Sequence, residues 1–356
     1  IISCLASSID SRFHAALQLF DADINLAAFS WQSSEAMTYV DQAILNAGYD
    51  CNATVVAGDT VPTITSLIEK GQPDVVSEAT PSLLGEVFTK GAEEGRVSQI
   101  GTAISDGQVS GWYIPQYVAD AHPEIKTVED AIAHPELFPS PEDASKGGVI
   151  QGPQGWGDTV VTAQLYKALD LDNKGFQLIP SGSAAALDGA IAKAYEQKAG
   201  FIAAYWAPTS LLVQYPMVRL EGTHDDAEWA RCTSVQDCPD PKPNYWKEAE
   251  MVTLASSDFS KNADPDVVRD MIGALEKIVP YVKQPEQIVP GKPLSVRTFY
   301  RLRVNGTTTG ALTNTSGQLL DAAQQSSQLS IHERDLAVVG RGGPCREPRE
   351  WPVPRW

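Results

Sequence analysis

The run Ile24-Asn-Leu-Ala-Ala-Phe-Ser30, followed by Trp31 and then by Cys51-Asn-Ala-Thr-Val-Val-Ala57, decides the fold class. The first run is short, apolar and closed by a small polar residue, as a buried strand is. Ala36, Val40, Ile44 and Leu45 then recur at helical spacing, which predicts a helix starting near Ser33 or Ser34 with either serine as its cap. Cys51 to Ala57 is rich in β-branched residues and reads as a second strand. Gly58-Asp-Thr opens a helix that runs through Leu67 and Ile68 to Lys70-Gly71, and Pro73 to Glu78 supplies a third strand. Strands alternating with single helices build βαβ units, hence an α/β fold with a mainly parallel sheet.

Outward from this stretch the pattern changes character between Gly107 and Trp112, and a second α/β unit follows. Its predicted strands are Gly148–Gln151, Phe176–Pro180 and Phe201–Tyr205, and its helices Thr127–Ala133, Thr159–Leu169 and Ala184–Lys198. After Trp206 the apolar runs Met251–Leu254 and Val267–Val279 are consistent with a return to the first unit. The expected plan is an outer lobe at 23–108, an inserted middle lobe at 109–206, the rest of the outer lobe at 207–284, and an extension of unassigned role at 285–356. Two chain crossings between lobes would form a hinge. The extension carries nine Arg or Lys against six Asp or Glu, whereas the whole chain has 27 against 45 and a net charge of −18.

That negative field repels phosphate backbones and disfavours nucleic acid as a partner. No run approaches the ~20 apolar residues that span a bilayer. The beginning Ile1-Ile-Ser-Cys4 reads as a trimmed, exported chain, with lipid attachment at Cys4 as a weaker option. Among five cysteines, Cys232 and Cys238 flank a short loop and are candidates for a disulfide, with two separate thiols the alternative; a pair there would suit an oxidising compartment.

Signatures of catalysis are missing: the chain has no phosphate-binding P-loop, Gly-x-Gly-x-x-Gly turn, Gly-x-Ser-x-Gly elbow or His-Glu-x-x-His pair. No catalytic residue, cofactor or metal is expected, although Thr223-His224-Asp225-Asp226 is acidic enough for a hard cation if it is not simply solvated. Tryptophan placement is more informative. Trp31, Trp112, Trp156 and Trp206 fall at predicted strand ends or strand-to-helix turns, where ligands collect on open α/β sheets. Indole faces attract poorly hydrated cations, above all methylated ammonium groups.

The sequence resembles the substrate-binding proteins of ABC importers for glycine betaine, choline and related methylated amines, most nearly those that take trimethylamine N-oxide. The resemblance runs from about Ile24 to Asp258. It rests on Gly58 to Gly71, Gly111-Trp-Tyr-Ile-Pro115, Thr127-Val-Glu-Asp-Ala131, His134-Pro-Glu-Leu-Phe-Pro139, Gly155-Trp-Gly157, Gly182-Ser-Ala-Ala-Ala-Leu187 and Tyr205-Trp-Ala-Pro-Thr209. It implies a two-lobed periplasmic-binding-protein fold that closes on a methylated onium ligand held in an aromatic box by Trp31, Trp112, Trp156 and Trp206. It further implies a periplasmic, monomeric protein that delivers an ammonium, amine oxide or sulfonium compound to a membrane permease.

Glu78 stands where relatives commonly have Pro-Glu-Leu-Trp, either as a counter-charge to the ligand or as a structural acceptor. The amides of Gln32, Ser33 and Ser34, at a helix N-terminus, would take a betaine-like carboxylate. Asp158, where relatives often place a cysteine near Gly-Trp-Gly, either contacts the ligand or caps the following helix, the cap being preferred. Two other function classes fit the same cleft: an enzyme such as a lyase or demethylase, with Glu78 and Asp158 as its acid–base candidates, and a sensory receptor domain.

Overall fold

In the computed structural model, residues 23–48, 51–263 and 268 are described. Residues 1–22, most of the 267–279 segment, the end of the outer lobe and the 285–356 extension lie outside them, as do Cys4 and Cys345.

The first lobe begins with β1 (Asp23–Phe29), α1 (Gln32–Ala43), β2 (Asn52–Gly58), α2 (Thr60–Lys70) and β3 (Val75–Ala79). β1 pairs in parallel with both β2 and β3, as the alternation of strands and helices predicts. Ile64, Leu67 and Ile68 of α2 pack on Ala27, Phe29, Val76 and Leu254, so the helix buries its apolar face against one side of the sheet. α1 starts differently from expectation. Its N-cap is Trp31, with no side-chain cap, and Ser34 instead turns its Oγ back to accept from Phe29 N at 3.1 Å, which tightens the strand-to-helix turn.

After α3 (Gly85–Glu93) comes β4 (Val97–Pro115), much longer than the sequence suggests. Its first half pairs antiparallel with β9 (Ala249–Ser256) in the first lobe, as far as Gln108↔Ala249. From Val109 onward it pairs antiparallel with β7 (Ile202–Ala207) in the second lobe. One strand therefore carries the chain across, and the passage into β9 brings it back; these are the two crossings of a two-lobed α/β fold.

The second lobe contains α4 (Gln116–Ala121), α5 (Val128–Ile132), β5 (Gly147–Gln151), α6 (Gly157–Ala168), β6 (Phe176–Pro180), α7 (Ala184–Glu196) and β7. β5 pairs in parallel with β6 and β7. Each lobe is thus parallel at its centre and antiparallel where the lobes join, a mixed sheet flanked by helices. α5 opens with a capping box between Thr127 and Asp130.

The expected return to the outer lobe at residue 207 moves to Ala249. After α8 (Ser210–Gln214), β8 (Met217–Arg219) pairs with Tyr113–Pro115 of β4, and Trp229, Tyr245 and Trp246 share a core with Val161 and Leu165 of α6. Residues 208–248 hence belong to the second lobe. Within them a Cys232–Cys238 disulfide, Cα atoms 5.4 Å apart, closes a loop that docks on α6 through Gln164 Nε2 to Val235 O (2.7 Å) and Lys167 Nζ to Cys238 O (3.0 Å). Ser256 caps α9 (Ser257–Asn262), beyond which the described chain ends.

Candidate functional site

The carboxyl ends of β1, β2, β3, β5 and β7 converge on one cleft between the lobes, the place where open α/β sheets bind ligands. The cleft encloses about 400 Å³ of empty space, its open mouth included, and its walls include Trp31, Glu78, Gln108, Trp156, Asp158 and Trp206.

Three indoles from three separate strand ends meet there. The centroids of Trp31 and Trp156 lie 5.1 Å apart at 78°, those of Trp156 and Trp206 5.4 Å apart at 81°, and those of Trp31 and Trp206 6.2 Å apart at 72°. The three planes are nearly mutually perpendicular. Behind them, Tyr205 backs Trp206 at 4.6 Å and Phe29 backs Trp31 at 4.9 Å. Trp31 packs against the cores of both lobes.

The second lobe reaches the first through a tight turn before α6. Gly155 has φ +99°, a conformation that only glycine adopts without strain, and its carbonyl accepts from Val61 N of α2 at 3.0 Å. Gly157 allows a close approach: a Cβ there would lie 2.7 Å from the Cβ of Leu83. Between them, Trp156 donates its Nε1–H to Asp59 Oδ1 at 3.1 Å, and Asp59 also accepts from Ser30 Oγ. The ring is therefore oriented by a carboxylate of the other lobe.

Glu78 is fully buried at the end of β3. Its Oε1 accepts from Trp31 Nε1 (2.8 Å) and Ser33 Oγ (3.1 Å), while Oε2 has no hydrogen-bond partner among the described residues. Burial raises its pKa to about 7 against the opposing pull of those two bonds. Asp158, the second residue of α6, accepts from Trp246 Nε1 (2.7 Å) on Oδ1 and from Gln108 Nε2 (3.1 Å) on Oδ2. Burial raises it to about 6, with bonds from Ser110, Trp246 and Gln108 opposing. The preferred reading of Asp158 as a helix cap gives way to this, because the N-cap position falls on Trp156 and the carboxyl turns into the cleft network. Gln108 completes that network by donating to Ser110 Oγ and accepting from Thr80 Oγ1.

Of the residues singled out in the sequence, Trp31, Trp156, Trp206, Glu78 and Asp158 line the cleft. Ser33 stands one bond behind Glu78. Ser34 is buried beneath the turn, away from the lining. Trp112 is corrected: it is 1% exposed and sits in the second-lobe core with Leu165 and Trp246, because it lies within the paired part of β4, opposite Ala204, and points to the face away from Tyr113. The acidic loop is used internally, Asp225 accepting from Ala227 N and Glu228 N, and Asp226 pairing with Lys247. Sequence reading missed Asp59, Thr80, Gln108 and Trp246. Asp59 alone had a local signal, as a polar residue directly after a predicted strand.

A two-lobed α/β protein with an aromatic, acidic cleft at its strand ends has the form of a binding protein that holds a small ligand between its lobes. Residues 22–277 match the family of substrate binding domains of ABC-type glycine betaine transport systems (OpuAC), and the chain belongs to that family. Solved structures of similar fold include the glycine betaine/L-proline-binding protein ProX of Borrelia burgdorferi (16% identity, TM-score 0.54, 76% of this chain and 89% of that one). Others are lactococcal OpuAC in its closed form with glycine betaine (15%, 0.51, 89% and 98%) and an ABC-transporter choline binding protein with choline (15%, 0.53, 86% and 98%). Among the described residues no helix is long and apolar enough to cross a membrane.

Proposed function

We propose that this protein is the extracytoplasmic ligand-capturing component of an ABC importer. It takes a small methylated onium compound between Trp31, Trp156 and Trp206 and delivers it to a membrane permease. The observation that carries this reading is the three near-perpendicular indoles beside a buried carboxylate with one unpartnered oxygen. The three indoles, nearly perpendicular with centroids 5.1–6.2 Å apart, line one cleft at a spacing comparable with the ~6 Å reach of cation–π attraction. A cation held in this cleft would have indole rings and Glu78 as its neighbours. At about 0.5–2 kcal/mol for each ring, plus burial of the methyl groups, this supplies much of the ~8 kcal/mol that micromolar affinity requires. An unmethylated ammonium holds its water too strongly to gain as much.

Thermal unfolding of the full chain with choline and with ethanolamine tests this directly, since the two differ only in N-methylation. A ligand at a hundred times its Kd adds about 2.7 kcal/mol of stability. Choline or another methylated onium is expected to raise Tm by several degrees and ethanolamine to leave it unchanged. Equal shifts, or none with any methylated onium compound, would remove the proposal.

A further inference from the structure

We infer that the cleft selects methylated onium compounds that carry no carboxylate, and discriminates against zwitterions of the glycine betaine type. This rests on the function proposed above and narrows it.

Three helices begin at the cleft: α1, α2 and α6, of 12, 11 and 12 residues. Each N-terminus is where an anionic ligand group would ordinarily dock. Beside each stands a carboxylate of the protein itself, hydrogen-bonded to side-chain donors. At α1, Glu78 Oε1 holds the Trp31 indole N–H and the Ser33 hydroxyl, the groups beside the amides to which the sequence reading assigns a betaine carboxylate. At α2, Asp59 is the N-cap residue and binds Trp156 Nε1 and Ser30 Oγ. At α6, Asp158 lies in the first turn and binds Gln108 and Trp246.

Among the described residues the walls contain no Lys, Arg or His to offset a further negative charge. Most lining side-chain donors are committed as well: Trp31, Trp156 and Gln108 to the carboxylates just named, and Thr80 to Gln108. Among the described residues, the Thr60 hydroxyl and the Trp206 indole N–H are left. Two neutral donors suit one hydroxyl or N-oxide oxygen. A ligand carboxylate, in contrast, would be buried near Glu78 Oε2, itself fully buried and unpartnered, where like charges repel in a poorly screened environment.

Calorimetric titration of the full chain with tetramethylammonium, choline, trimethylamine N-oxide and glycine betaine separates the outcomes. The tightest of the three carboxylate-free compounds is expected to bind at least ten-fold more strongly than glycine betaine. In Asp158→Asn and Glu78→Gln the gap should narrow, since each removes a repelling charge while keeping the shape. Glycine betaine binding as tightly as the best of the others to the wild-type chain would overturn the inference while leaving the onium site intact. Failure of all four to bind would overturn the proposed function itself, and this inference with it.

Discussion

Glu78 and Trp112 show how strongly a side chain's role depends on what surrounds it. Both are almost completely buried, yet Glu78 keeps one oxygen unpartnered at the cleft and Trp112 is packed into the second-lobe core. Trp112→Ala should therefore act on stability, costing about 3–5 kcal/mol as large core truncations do, with ligand affinity preserved in the folded fraction. Chemical denaturation beside a ligand titration reads the two effects apart. Trp156→Ala, at a ring that is buried but also lines the cleft, should lower ligand affinity as well. The sequence could not separate these two residues, because both follow a glycine and look like turn residues. What separates them is that β4 runs on to Pro115, so Trp112 lies inside a paired strand with the opposite face to Tyr113, whereas Trp156 follows the end of β5.

Glu78 also sets a pH dependence. Its raised pKa, about 7, comes from burial opposed by the bonds from Trp31 and Ser33; that of Asp158, about 6, comes from burial opposed by Ser110, Trp246 and Gln108. A permanent cation bound beside them favours the ionised forms, so binding releases protons and affinity falls as pH falls. Choline affinity is expected to drop about ten-fold or more between pH 8 and pH 5.5, and Glu78→Gln to flatten most of that slope. A slope of opposite sign would place the ligand's charge elsewhere.

At the level of elements, the parts that follow a regular period were readable and the irregular ones were not. β1, β2 and α2 follow from a short apolar run, a β-branched run, and helical spacing ending at Gly71, the α2 C-cap with φ +70°. The 208–248 excursion did not follow, since it consists of short pieces, a three-residue strand and a disulfide loop whose docking depends on contacts with α6 rather than on local pattern. Nor could local pattern show that Asp59, at the α2 N-cap, orients a tryptophan 97 residues away. Asp59→Ala leaves the Trp156 indole N–H without its acceptor and frees the ring to rotate. Onium affinity should fall several-fold with a Tm change of no more than a few degrees, as measured by calorimetry and thermal unfolding. Unchanged affinity would mean that packing alone orients the ring.

For the whole molecule, the lobes are drawn together by contacts that leave the cleft between them: Val61 N to Gly155 O, Trp156 to Asp59, Trp229 Nε1 to Ser82 O at 2.7 Å and Ser210 Oγ to Gln32 Oε1 at 3.3 Å. Stability as a whole should also respond to pH through Asp41, buried on the inner face of α1 with Ser77 as its hydrogen-bond donor and one oxygen without a partner among the described residues. Burial raises its pKa to about 8 from 3.8. The folded state thus holds a proton that the unfolded state releases above about pH 4, and this contribution is lost as pH rises through 8. Urea unfolding from pH 5 to pH 9 should show stability declining, less steeply in Asp41→Asn; equal slopes would remove Asp41 from the explanation.

The lobed plan was legible because each lobe repeats the βαβ alternation; that one continuous strand makes the crossing after Gln108 and serves both lobes was not. The convergence of Trp31, Trp156 and Trp206 depends on both. Titration of tetramethylammonium into the wild-type chain and into Trp206→Ala tests that convergence most directly, since this ligand offers nothing but methyl groups and charge. Micromolar binding to the wild type, weakened at least ten-fold in the variant, is the expected result. Identical affinities in the two proteins would contradict it.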